Sequence, residues 1–146
     1  MGNIWPNNIA KKYCVNRANL LDTNLIIRFL TEDDPKKARA VFKLFSSGKT
    51  FFLPDMAFAE IVWVLSSFYE FKREEIYEKI KSLLAFEKVS CNRRLLLQSL
   101  EYYRDFNYLN FVDCYLAALV QTKKSKVLYS YDIGFDKVKG IKRVEP

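Results

Sequence analysis

No histidine occurs anywhere in the 146 residues. That absence excludes Ser-His-Asp and Cys-His nucleophilic machinery, histidine acid–base catalysis and every zinc site that needs an imidazole. Cysteine is scarce as well. Cys14, Cys91 and Cys114 are odd in number and far apart, which excludes a disulfide framework and a C-x-x-C motif and leaves them as reduced, small hydrophobes. No apolar run approaches the roughly 18 residues of a membrane span. Nor does the N-terminus carry the contiguous apolar core of a secretory leader, so the expected location is the cytoplasm. Glycine and proline number only four each, and neither a low-complexity linker nor an internal repeat is visible. With half its residues hydrophobic, the chain is expected to fold as one packed domain that buries roughly 70% of the surface it exposes when unfolded.

What the chain does have is positive charge, a net +7 with a sequence pI near 9.3. Such a balance suits an anionic partner, nucleic acid being the commonest, although a solvated surface accounts for the same lysines. Residues 1–18 hold Lys11, Lys12 and Arg17 and no acid, and the basic residues thicken again from Lys123 to Arg143.

Apolar patterning alternates between short strands and helices. Ala18–Leu21, Thr50–Leu53, Val89–Cys91, Lys126–Tyr131 and Ile141–Val144 read as strands. Asn24 is placed to cap a helix over Leu25–Leu30, Pro35 opens a second with Gly48 just past its end, and Pro54 precedes a third. Lys72-Arg73-Glu74-Glu75 starts a fourth, Asn92 a fifth, and Asn110 caps a sixth. This order predicts an α/β fold with a mostly parallel sheet of four or five short strands and helices on both faces.

Four acids stand out within that frame. Asp22 and Asp132 each terminate a strand, where ligands of open α/β sheets bind. Glu60 has Met56, Ala57, Trp63 and Val64 as its helical neighbours, and Asp113 is followed by Leu116 and Ala117. An ionised carboxylate on an apolar face is costly unless paired or metal-bound. Two carboxylates 4 Å apart repel by about 4 kcal/mol at an effective dielectric of 20, so a cluster of such acids takes up protons or a hard cation, and Mg²⁺ or Mn²⁺ suits oxygen donors. The chemistry this points to is metal-assisted phosphodiester hydrolysis. Thr23 and Ser130 put hydroxyls beside Asp22 and Asp132, either to orient the site or to cap the backbone.

Three segments, Leu20–Asn24, Pro54–Leu65 and Phe111–Leu119, resemble the motifs of PIN domains, most of all the VapC-like ribonuclease toxins. The resemblance covers roughly residues 18–145. It implies a three-layer α/β/α fold and an Mg²⁺- or Mn²⁺-dependent endoribonuclease that acts on RNA, forms a homodimer and is inhibited by a cognate VapB-type antitoxin, with no membrane involved. It carries the acidic site, catalytic and metal-binding, onto Asp22, Glu60, Asp113 and Asp132, with Thr23, Asn24, Asn110 and Ser130 around them. Two positions depart from the pattern: Asn110 and Gly134 stand where many relatives have acids, and Asp136 lies close enough to compensate for the second. Residues 1–17 read as an N-terminal extension that need not be native, ahead of a domain over 18–146, with Val15 as a candidate natural start. Trp63, Phe68, Tyr69 and Phe71 read either as a dimer or antitoxin surface or as core.

A phosphatase of the haloacid dehalogenase type also begins with a strand-end Asp, but it needs a second Asp two residues on, where this chain has Asn24. The alternative in a different class is a PIN-like module that binds RNA or protein without cutting.

Overall fold

A computed structural model describes residues 18–146. Cys14, Val15 and the basic residues Lys11, Lys12 and Arg17 lie outside them. The chain divides into two compact units, one running to Arg93 and the other from Arg94 to Pro146.

The first unit holds β1 (Asn19–Leu20), α1 (Thr23–Thr31), α2 (Pro35–Phe45), β2 (Phe51–Phe52), α3 (Asp55–Ser67), α4 (Arg73–Leu84) and β3 (Val89–Ser90). Its strands form a parallel ladder in the order β1-β2-β3, with Asn19 opposite Phe51 and Phe51 opposite Val89. Parallel neighbours need crossover connections, and α1–α2 and α3–α4 supply them. The core is aliphatic and aromatic: Ile26, Leu53, Phe58, Ile61, Leu65, Ile76, Ile80 and Leu83 are fully buried. Each stabilises the fold by about 1.5–3 kcal/mol relative to exposure. Phe45 meets Phe29, Phe51 and Phe86 with ring centroids 5.3, 5.9 and 5.2 Å apart, closing the far side of the ladder with edge-on and tilted contacts.

Local signals explain the element ends. Asp34 accepts from the backbone N–H groups of Lys36 and Lys37, so Pro35 enters α2 at the position where its missing N–H costs nothing. Gly48 follows α2 at φ +78°, a left-handed turn that suits glycine. Glu75 accepts from the backbone of Lys72 and so satisfies the start of α4. Arg93 donates to the carbonyls of Leu84, Phe86 and Val89, tying the end of α4 to β3.

The second unit holds most of α5 (Arg93–Asp105), then α6 (Phe111–Gln121), β4 (Val127–Tyr129), a 3₁₀ turn (Ile133–Lys137) and β5 (Lys142–Val144). β4 and β5 pair in parallel, Val127 opposite Lys142 and Tyr129 opposite Val144. Leu96, Leu100, Leu109 and Phe135 are fully buried here, and Tyr103 packs edge-on to Phe111 at 6.0 Å.

The α/β class, the five short strands and their parallel sense stand as expected; hydrogen bonding divides the strands into a three-stranded and a two-stranded ladder. One expectation about a helix start is corrected. Asp22, not Asn24, occupies the N-cap, because its backbone is still extended (φ −86°, ψ 145°) while Thr23 is already helical. Only Leu21 and Asp22 therefore separate the strand from the helix. Among the described residues, no helix is long and apolar enough to cross a membrane.

Candidate active site

Asp22 holds the position where an aspartate usually accepts a hydrogen bond from the second or third amide of its helix, yet its side chain makes no capping bond. The carboxylate is thus left available at the end of β1. The next residue, Thr23, is buried, and its hydroxyl donates to Oε2 of Glu60 at 2.7 Å. One short hydrogen bond ties the acid of α3 to the residue beside Asp22.

Glu60 itself does not lie on a buried apolar face, contrary to the argument from its neighbours. It is exposed, and it shares the solvent side of α3 with Met56 (84% exposed) and Trp63 (65%). The helix is apolar on both sides, and the side carrying Phe58, Ile61, Val62 and Leu65 is the one that enters the core. Of the four candidate surface aromatics, Trp63 and Phe68 are exposed, whereas Tyr69 donates its hydroxyl to Asp33 at 2.7 Å and packs against Phe71 at 5.8 Å.

A cleft of about 360 Å³ opens beside Asp22, lined by Asn24, Leu25, Arg28, Lys37, Ala40 and Val41 as well. Arg28 is ion-paired with Asp33 and Lys37 with Asp34 at 3.3 Å. Neither cation was singled out from sequence. Arg28 had a legible signal, since Asp22, Leu25 and Arg28 recur at three-residue spacing along one side of α1.

In the second unit, Asn110 caps α6 by accepting from the Asp113 N–H at 2.9 Å. Its side-chain oxygen is thus engaged at the start of α6. Asp113 is half-buried, and desolvation pushes its carboxyl above the ordinary Asp value; the Asp132 charge adds to that rise, and a hydrogen bond from the Asn110 backbone opposes it. Two like charges therefore face one another across α6 and the end of β4.

Asp132 is held from its own turn. Oδ1 accepts from the Gly134 N–H at 2.7 Å, and its backbone N–H donates to the Ser130 hydroxyl at 3.0 Å. Ser130 thus caps the backbone. A Cβ on Gly134 would sit 3.0 Å from both Asp132 Oδ1 and Leu109 Cδ2, so the position favours glycine by close approach. Asp136 does not replace the acid missing there, because Arg143 engages both its oxygens, at 2.9 and 3.1 Å. Arg143 also donates to Glu145 and to the Ser130 carbonyl.

The acids fall into two pairs, Asp22 and Glu60 linked through Thr23, and Asp113 and Asp132 through their charges. Among the described residues, no group of three or more cysteine, aspartate and glutamate side chains is close enough to hold an ion. The donor chemistry still suits a hard cation, since each pair offers only carboxylate oxygens and Asp113 and Asp132 repel until something positive comes between them. The cysteines take no part. Burial pushes the Cys91 thiol up to about 11, and Cys114 is buried in α6.

Short parallel strands joined by helical crossovers define an α/β protein. Residues 20–141 match the PIN domain family, and the chain belongs to it. It is similar to the VapC ribonuclease of Aquifex aeolicus (strain VF5), with 25% identity over 131 residues, which are 87% of this chain and 96% of that protein.

Proposed function

We propose that this PIN-domain protein is a metal-dependent endoribonuclease, the toxin of a VapBC-type pair, acting in the cytoplasm as a homodimer and held in check by a VapB-type antitoxin. The observation that carries the nuclease reading is the raised Asp113 carboxyl beside Asp132, in a chain whose match to the PIN family spans both acid pairs. The similarity to a VapC ribonuclease supports RNA as the substrate.

Asp22, Glu60, Asp113 and Asp132 are the residues that would hold Mg²⁺ or Mn²⁺. When bound, the cation supplies Lewis acidity toward the scissile phosphate. The protein's own groups do the rest. Thr23 fixes the rotamer of Glu60 through its hydroxyl, and Gly134 fixes Asp132 through one oxygen, leaving the other free to act. Asp113, whose carboxyl burial raises above the ordinary Asp value, is suited to take a proton from the attacking water.

The test is cleavage of total bacterial RNA by purified protein with Mn²⁺ or Mg²⁺, with and without chelator, beside an Asp22→Asn protein purified identically. Discrete, chelator-sensitive cuts by the wild type alone are expected. Equal, metal-independent behaviour of both proteins would instead support the alternative of an RNA- or protein-binding module that cuts nothing.

A further inference from the structure

The cleft beside Asp22 takes cations from two helices, Arg28 from α1 and Lys37 from α2. Among the described residues its lining holds one acid, Asp22, so the two cations leave it net positive. Asp33 and Asp34, which pair with those cations, do not line it. The wall formed by α2 is basic throughout: Lys36, Lys37, Arg39 and Lys43 are all exposed, and Pro35–Phe45 contains no acid.

Both ion pairs are built so that the cation can leave. Asp33 accepts from the Tyr69 hydroxyl at 2.7 Å as well as from Arg28. Asp34 accepts from the N–H groups of Lys36 and Lys37, each at 3.1 Å, while Lys37 Nζ lies 3.3 Å from its other oxygen. The largest influence holding each carboxyl below the ordinary Asp value is that neutral donor, the Tyr69 hydroxyl for Asp33 and the Lys37 N–H for Asp34. Neither acid is left bare when its cation turns away. The side chains of Arg28 and Lys37 are 36% and 64% exposed, and ion pairs so exposed contribute little to stability. A phosphate entering the cleft presents the planar guanidinium of Arg28 with two oxygens at once and Lys37 with a point charge.

We propose that Arg28 and Lys37 bind substrate: they exchange Asp33 and Asp34 for a backbone phosphate of the RNA and hold the strand in the cleft beside Asp22. The proposal rests on the nuclease reading and deepens it by naming the side of Asp22 on which the substrate lies.

The test measures the affinity of the full chain, in chelator so that nothing is cleaved, for a fluorescein-labelled RNA of about 12 nucleotides over a range of salt concentrations. Arg28→Ala and Lys37→Ala are each expected to weaken binding several-fold and to lower the salt slope by about one. Asp33→Asn keeps an acceptor for Tyr69 and frees Arg28, so it should bind RNA several-fold more tightly than the wild type. Glu78→Gln is the matched control, since it removes an acid from an exposed pair with Lys81 on α4. It should leave the affinity unchanged at about 0.15 M salt, where charges more than about 8 Å apart are largely screened. Equal tightening by Asp33→Asn and Glu78→Gln would report net charge alone and overturn the proposal. So would wild-type affinity and slope in both alanine variants of a protein that cuts RNA, which leaves the nuclease reading intact. Should Arg28→Ala fail to fold, Lys37→Ala and Asp33→Asn decide. Inorganic phosphate that raises the melting temperature of the wild type but not of Lys37→Ala, with equal RNA affinity in the two, would make the cleft a site for the free anion and overturn the proposal. A wild type that neither binds nor cuts RNA overturns both readings.

Discussion

In the first unit, a neutral hydroxyl settles the acid: Thr23 donates to Glu60, and Asp22 carries no capping bond. In the second, burial raises Asp113 with the Asp132 charge adding to the rise, while the Gly134 N–H holds Asp132. Hydrogen bonding dominates in the first pair, and burial of a charge dominates at Asp113 in the second. A carboxylate held by a donor is well oriented but a poor base, whereas one facing another charge gains from either a proton or a cation.

The sharpest way to break this contrast is to remove one acid from each side. Asp22→Asn and Asp113→Asn should each lower metal-dependent RNA cleavage by on the order of a thousandfold. Their behaviour in chelator should differ, because Asp113→Asn also removes a repulsion. Next comes Thr23→Val, which keeps the buried volume and deletes only the hydroxyl. Apparent affinity for Mn²⁺ should fall by about 10- to 100-fold, read from the metal dependence of cleavage, with the circular dichroism spectrum unchanged. Gly134→Ala should follow. Its methyl group presses on Asp132 and Leu109, so activity should drop several-fold and the melting temperature by a few degrees, about 1 kcal/mol of strain.

The smallest expected effects are on stability against pH, and their signs oppose one another. A carboxyl whose folded value is raised binds its proton more tightly in the folded state, so Asp113 penalises folding at neutral pH. That penalty disappears as pH falls through its raised value. In metal-free buffer, Asp113→Asn should therefore melt higher than the wild type at pH 7, and the difference should vanish as the buffer is acidified. Asp136 has the reverse sign. The Arg143 hydrogen bonds and charge lower its value, so its contribution is present above the unfolded value near 3.9 and is lost as pH falls through the folded one. Asp136→Asn should lower the melting temperature slightly at pH 7 and make no difference in strong acid. Differential scanning calorimetry in chelator measures both.

The order of elements and the two strand-end acids were legible because strand and helix periodicities alternate cleanly from Asn19 to Val144. The start of α1 was not. Asn24 and Asp22 are both good caps by composition, and only the extended backbone at Asp22 decides between them. Glu60 was misread for a related reason: a helix apolar on every side does not reveal which face is buried, so the acid's exposure depended on the packing of Phe58 and Leu65. The partition into two ladders is a matter of hydrogen bonding between strands two or three residues long, for which periodicity has no signal. The fate of Asp136 likewise depended on a partner seven residues away, Arg143.

Arg143 is only 12% exposed along its side chain and joins Asp136, Glu145 and the Ser130 carbonyl, the last lying two residues from Asp132. Arg143 therefore works as a clasp on the turn that carries a candidate acid. Arg143→Ala would open the clasp without touching the acid, and the first visible symptom would be a failing turn in a protein that still looks folded.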